Sequence, residues 1–187
     1  DRSGRLSAVG EGPLESVMHL EIDRLPAAAM REAERDIRAV LGDVRAIVSD
    51  WAAMRTRMLE IVSDFDSRTM PLGQAERREA QEFLRWVAAD HFTFLGYREY
   101  RVRSQGGQPM LVGDADSGLG LLRGKPAGKA RPLDTLSAQT QAGQGASEAL
   151  ILTKTNARST VHRPGYMDYI GVLLFDAKGK AIGEQRF

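Results

Sequence analysis

From Pro26 onward, apolar residues return every three or four positions. Met30, Ile37, Val40, Leu41, Val44, Ile47 and Val48 share one face while the opposite face is charged, the period of an amphipathic helix. Pro26 suits the helix start because its missing N–H has no partner to lose in the first turn. A second run of the same period, Trp51, Met54, Met58, Ile61, Val62 and Phe65, follows Ser49 and Asp50, either of which can cap a new helix. After Pro71 and Gly73, a third helix is predicted over 74–89, burying Phe83, Leu84 and Val87 and turning Glu76, Arg77, Arg78, Glu79 and Glu82 to water. Ahead of these helices, residues 16–24 alternate, with Met18, Leu20 and Ile22 on one face and Val17, His19, Glu21 and Asp23 on the other. That pattern predicts a half-buried strand, with pairing partners expected partly in preceding sequence.

The period changes to two at His91. Phe92 and Phe94 share one face, Leu95 and Tyr97 the other, and Gly96 marks a bulge or close approach. Gly106-Gly107 turns the chain back through Pro109 to Val112, predicting a hairpin. Residues 125–147 are rich in Ala, Gly, Gln and Pro, anchored only by Leu133 and Leu136, and read as a long mobile connection. Strands are predicted again over 149–153, 159–162, 169–175 and 181–187, the last two joined by Asp176-Ala177-Lys178-Gly179, a tight-turn sequence. Helices followed by antiparallel strands define an α+β fold.

Composition narrows the function classes. In 187 residues, 26 Lys and Arg against 25 Asp and Glu leave a formal charge of +1, no surplus to attract nucleic acid or anionic lipid. The absence of cysteine excludes disulfides, thiolate zinc sites and a cysteine nucleophile, and a reducing cytoplasm fits. No apolar run approaches the ~20 residues that span a bilayer. The chain opens at Asp1 and stops at Phe187 in a predicted strand, and both ends read as cuts in a longer polypeptide.

Recognisable chemistry is sparse. Gly118-Leu119-Gly120 with Gly124 fails the spacing of a dinucleotide loop, since Leu122-Arg123 stands where the third glycine should open a helix. A glycine-rich turn is the simpler reading. His19, His91 and His162 lie far apart in the sequence, in no metal-ligand arrangement. Asp114 and Asp116 read as turn formers. The densest group of polar and aromatic residues runs from Thr153 to Tyr169. If this segment folds as a hairpin, Arg158 or Arg163 can grip a carboxylate bidentately, with Asn156, Ser159 and Asp168 completing an amino-acid-sized pocket beside His162 and Tyr166. A contact loop between subunits or domains is the favoured alternative, since Arg and Tyr are enriched at interfaces.

Five stretches go further: GPLESVMHLEIDRL at 12–25, FLRWVAADHFTFLGYREYRV at 83–102, SGLGLLRG at 117–124, LTKTNARSTVHRPGYMDYIGV at 152–172 and FDAKGKAIGEQRF at 175–187. Together they resemble the large bacterial NAD-specific glutamate dehydrogenases. Leu173-Leu174 departs from the more polar pair usual there, which favours a packed face at those positions. The resemblance falls in the N-terminal regulatory region of that family, upstream of the catalytic domain. It implies that residues 1–25 end a preceding ACT-like domain, 26–72 form a helical linker, and 73–187 form a PAS-like regulatory domain with a mobile loop at 125–148, the antiparallel sheet being PAS-like or ACT-like. It implies no catalytic, cofactor-binding or metal-binding residues in this segment, NAD being held elsewhere in the enzyme. Expected partners are other domains and subunits of a homo-oligomer, with an amino acid as a possible effector.

Overall fold

The computed structural model describes residues 17–68, 70–133 and 149–187. The chain divides into two units, Asp1–Arg35 and Asp36–Phe187. In the first, residues 17–26 carry no regular structure and Val17, Met18, Leu20 and Ile22 are exposed. Of the strand predicted over 16–24, residues 17–24 pair with no described residue, and residue 16 lies outside the described residues; a strand needs a hydrogen-bonded neighbour, and its partners were expected partly in preceding sequence.

The two helices predicted from Pro26 to Phe65 are one, α1 (Ala27–Asp64). Ile47, Asp50, Met54, Met58, Ile61 and Val62 stay in phase along its buried face, and no proline or glycine breaks the stretch 43–64. Asp50 caps nothing. Its side chain turns into the protein, as described below. After α1, α2 (Gln74–Trp86) begins at Gly73, whose N–H donates to Glu76 Oε2 at 3.0 Å. Arg77, expected to face water, instead donates to the carbonyls of Phe65, Asp66 and Arg68 at 2.9, 3.3 and 2.9 Å. It thereby satisfies acceptors just beyond the end of α1, where a cation is favoured. The chain leaves α2 through a widened turn, Val87–His91, in which Asp90 takes φ 64°.

Among the described residues seven strands follow: β1 (Gly96–Gln105), β2 (Gln108–Gly113), β3 (Leu119–Gly120), β4 (Arg131–Pro132), β5 (Leu150–Ser159), β6 (Gly165–Phe175) and β7 (Ala181–Arg186). Their order is β4-β2-β1-β7-β6-β5, with β3 added to β1 and every pairing antiparallel. The result is a curled sheet after two helices, the α+β arrangement predicted. Gly106 and Gly107, at φ 59° and 81°, close the β1–β2 hairpin, the left-handed pair that matches strand twist. At the β6–β7 turn Asp176 Oδ1 accepts from the N–H groups of Lys178 and Lys180, at 2.9 and 3.0 Å, and Gly179 takes φ 76°.

Three strand predictions shift. Residues 92–95 do not join β1, and Phe94 is buried beside Phe187 instead. The strand predicted at 149–153 runs on to Ser159 as β5, with a register shift between Lys154 and Arg158, and of the strand predicted at 159–162 only Ser159 belongs to it, residues 160–162 forming the hairpin tip. β6 begins four residues earlier than 169. Residues 125–133, predicted mobile, are fastened: Arg98 donates to the carbonyls of Leu122, Lys125 and Pro126 at 2.7, 2.6 and 2.8 Å, and β4 pairs with β2. The rest of that predicted loop, 134–148, lies outside the described residues.

The core lies on both faces of the sheet. Tyr97, Leu150, Ile170 and Val172 bury with Met54, Met58, Ile61, Phe65, Leu84 and Val87 from the helices. On the other face Leu111, Ile151 and Leu173 pack with Tyr100, Val102, Leu133 and Tyr169. Leu173 thus has the packed environment its departure from the family pattern suggested.

Candidate functional site

β6 pairs with β7 from Gly171 onward and Ile170 exchanges two backbone hydrogen bonds with Phe187, whereas the pairing of β6 with β5 continues to Gly165. The far end of the β5–β6 hairpin therefore projects past the end of β7. Between this arm and residues 91–96 lies an open cleft of about 960 Å³. Phe92, Phe94, Ile170 and Phe187 form apolar wall, and Arg131, Lys154, Arg163 and Arg186 bring positive charge to its lining. Asp168 is the acidic residue of that lining, and Lys154 Nζ reaches it at 2.5 Å.

Five of the six residues singled out from the sequence, Asn156, His162, Arg163, Tyr166 and Asp168, line this cleft. Asn156 sits in the irregular stretch of β5 and Asp168 opposite Lys154 on β6. Arg158 pairs with Tyr166 across the hairpin, its guanidinium carbon 5.6 Å from the tyrosine ring centroid, and does not line the cleft. Ser159 is buried and holds the hairpin tip: its hydroxyl donates to Val161 O at 2.7 Å and accepts from Val161 N at 3.2 Å. That local bond lets the chain reverse, with His162 at φ 65°, a conformation non-glycine residues adopt at a cost. His162 and Arg163 are exposed, whereas Val161 beneath them is buried in the core with Phe94 and Ile170. The tip is therefore anchored by one apolar side chain and presents two basic ones.

A second polar group was not read from the sequence. Glu184 is fully buried. It accepts from the Tyr169 hydroxyl and, at 2.9 Å, from Arg186 Nη2. Arg186 in turn lies between aromatic rings, 3.9 Å from the Tyr100 centroid and 4.8 Å from that of Tyr169, an attraction strengthened by loss of water. Burial and then the neighbouring Glu184 charge push the Tyr169 hydroxyl well above the ordinary tyrosine range, so it stays a proton donor. Burial opposes the Arg186 charge, but Glu184 and Tyr169 outweigh it and leave its pKa above the usual value. The Glu184 and Arg186 charges offset each other beside the cleft wall, with Tyr169 neutral between them. The available signal was Glu184 and Arg186 at alternate positions of a predicted strand, hence on one face.

The helices connect to the sheet through Asp50. Its carboxylate, 2% exposed as a residue, accepts from Gly120 N at 2.8 Å and from Arg123 Nε at 2.7 Å, with Arg123 Nη2 completing a bidentate pair. The sequence SGLGLLRG thus forms a latch on α1. Gly120, at φ 58°, is required there because a Cβ would run into Leu95 O, and Gly118 lies as close to Leu122 O. The reading of these glycines as a turn holds, with close backbone approach as its physical reason. Elsewhere Tyr97 donates to Glu99 Oε1 at 2.9 Å and accepts from Gln185 Nε2 at 3.0 Å. Among the described residues no three His, Asp or Glu side chains are grouped to hold a metal ion, and no helix is long and apolar enough to cross a membrane.

No protein-family model matches the chain. Comparison with curated proteins places it among segments of a large dehydrogenase. It is 36% identical over 176 residues to the NAD-specific glutamate dehydrogenase of Pseudomonas aeruginosa and 35% identical over 176 residues to that of Halomonas elongata. Each match covers 92% of this chain and 11% of the relative. The enzyme of the same name from Mycobacterium tuberculosis is 31% identical over 124 residues, 64% of this chain and 7% of that protein. The chain is thus related to one segment of the NAD-specific glutamate dehydrogenases and spans about a tenth of the length of the curated relatives it matches.

Proposed function

We propose that this chain is a non-catalytic regulatory and assembly segment of an NAD-dependent glutamate dehydrogenase, a cytoplasmic homo-oligomer that deaminates L-glutamate oxidatively to 2-oxoglutarate and ammonia. The observation that carries the reading is the match of 92% of the chain to 11% of such enzymes. Two further features support it. Glu184, Arg186 and Tyr169 are locked to one another rather than poised for proton transfer. Setting β3 and β4 aside, the five long strands run in the order 2-1-5-4-3, an order that supports reading 73–187 as the PAS-like unit. In this scheme residues 1–25 finish an ACT-like domain and α1 is the linker that carries its state to the sheet through the Asp50 latch. NAD and glutamate are bound elsewhere in the enzyme. Calorimetric titration of the chain with NAD and with glutamate is expected to give no binding heat; micromolar affinity for NAD overturns the proposal.

The cleft favours a second reading, an amino-acid sensor. Arg163 and Arg131 offer carboxylate-binding groups, and Asn156 and the Asp168–Lys154 pair offer polar partners. A ligand that binds only the folded state raises the melting temperature in proportion to the logarithm of its concentration over Kd. A thermal-shift series of amino acids tests it. A shift abolished by Arg163→Ala supports the sensor, and no shift with any amino acid removes it.

A further inference from the structure

The charges that line the cleft do not balance. Arg131, Lys154, Arg163 and Arg186 stand around it, with Asp168 as the facing acid. Lys154 Nζ meets Asp168 Oδ1 at 2.5 Å, and Arg186 Nη2 meets the buried Glu184 Oε2 at 2.9 Å. That leaves Arg131 and Arg163. Both are exposed, and among the described residues neither side chain has an ion pair or a hydrogen bond. Their places are set by the backbone: Arg131 lies opposite Leu111 in β4, and the Arg163 N–H donates to Val161 O at 2.8 Å at the hairpin tip.

β4 is one end of the strand order and the β5–β6 hairpin the other, so it is the curl of the sheet that brings both arginines to one cleft. A lone surface arginine is ordinary, because water solvates it. Two uncompensated ones at a concave site with apolar walls are different, since walls of low dielectric focus the potential and concentrate anions there. The ammonium of a zwitterion finds no unmatched acid in the same lining. Asp168 can accept it only by releasing Lys154, whose charge then stays in the cleft, so the positive excess is the same in either pairing. Phe92 and Phe187, half-buried against the core, line the cleft as well and suit an apolar body beside the charge. A volume of about 960 Å³ has room for both.

We propose that the cleft takes an organic dianion, two acidic groups on an apolar body without an ammonium, held by Arg131 and Arg163. The inference rests on the cleft being a ligand site, as in the sensor reading, and changes the ligand from a zwitterion to a dianion. A guanidinium grips a carboxylate or a phosphate oxygen pair through parallel N–H donors, so dicarboxylates and phosphate-type anions share the chemistry.

The test is calorimetric titration of the chain, at mildly alkaline pH, with phenylalanine, 3-phenylpropanoate and benzylmalonate. These share a benzyl group and one carboxylate and carry, in turn, an ammonium, a hydrogen and a second carboxylate on the same carbon. Affinity is expected to rise about tenfold at each step, the modest value of a charge-assisted contact open to solvent. Benzylphosphonate shows whether a phosphate-type group serves as well as two carboxylates, and binding tighter than that of 3-phenylpropanoate supports the proposal from either source. Arg131→Gln and Arg163→Gln are each expected to remove most of the advantage of benzylmalonate over 3-phenylpropanoate, a ratio that a merely structural role leaves unchanged. Lys154→Gln frees Asp168 and is expected to shift the preference about tenfold toward phenylalanine. Phenylalanine binding as tightly as benzylmalonate overturns the inference and leaves the sensor reading in place. Equal affinity for the singly and doubly charged acids, a ratio unmoved in both arginine variants, or no binding heat from any of the four compounds also overturns it, while the thermal-shift series of amino acids decides the sensor reading separately.

Discussion

Replacing Asp50 by alanine tests how the helical part is fastened to the sheet. The substitution removes the acceptor of the Gly120 N–H and both oxygens held by Arg123. Gly120 is buried, so its unsatisfied N–H costs about 1–3 kcal/mol. The Arg123 contribution is smaller, because that side chain is 57% exposed and regains water when released; surface pairs are worth ~0–1 kcal/mol. Relief of the desolvated carboxylate offsets part of the loss. The net expectation is a destabilisation of about 2 kcal/mol, a fall in Tm of roughly 4–8 °C for a domain of this size. Asp50→Asn keeps an acceptor for Gly120 and loses only the charge, so about 1 kcal/mol is expected. Urea denaturation followed by circular dichroism measures all three proteins, and the slope with denaturant shows whether the comparison is two-state. If Asp50→Ala lies within ~0.5 kcal/mol of the parent, the range of ordinary surface substitutions, the latch does not stabilise the fold and the reasoning fails.

Gly120→Ala is expected to cost at least 2 kcal/mol, from its left-handed backbone and the collision with Leu95 O, and denaturant titration reads it; a neutral result removes the close-approach argument. Glu184→Ala strands Arg186, whose side chain is only 14% exposed, and is expected to cost about 3–5 kcal/mol, whereas Glu184→Gln, which retains an acceptor, costs less by thermal melting. Tyr97 and Tyr169 both have pKa values raised in the fold, chiefly by burial. A raised folded-state pKa contributes stability that is present below the unfolded value of 10.0 and is lost as pH rises above it. Ultraviolet titration is therefore expected to show Tyr97 and Tyr169 ionising only together with alkaline unfolding, and their ionisation before unfolding contradicts their burial.

Much of the fold was legible because its signals are local. Gly106-Gly107 and the Asp176–Gly179 turn each specify a hairpin through backbone conformations that few residues allow, and the change from a helical to an alternating period near His91 separates the helices from the sheet. What failed depended on distant partners. Asp50 is of an N-cap residue type and precedes an apolar helical run, and only Gly120 and Arg123, seventy and more residues away, show that its carboxylate belongs elsewhere. The alternation at 17–24 has the strand period without a neighbouring strand among the described residues, and Phe92 to Leu95 show it while packing as a core-filling connection. Residues 125–133 are compositionally loop-like, yet buried Arg98 fixes them through three carbonyls, a contact no composition reports.

The cleft was partly legible in the same sense. Its hairpin arm was foreseen from the density of polar and aromatic residues between Thr153 and Tyr169, and five of six chosen residues line the cavity. Arg158 stands outside the cleft lining, just past the irregularity between Lys154 and Arg158, and a bulge is invisible when only alternation is counted. The opposite wall, Tyr100 with Arg186 and Phe187, comes from strands remote in sequence.

The most direct measurement is a turnover assay on the chain alone, supplied with saturating NAD and L-glutamate and followed by NADH absorbance. A non-catalytic regulatory segment gives a rate indistinguishable from the protein-free blank. Glutamate-dependent NADH formation that scales with chain concentration contradicts that assignment.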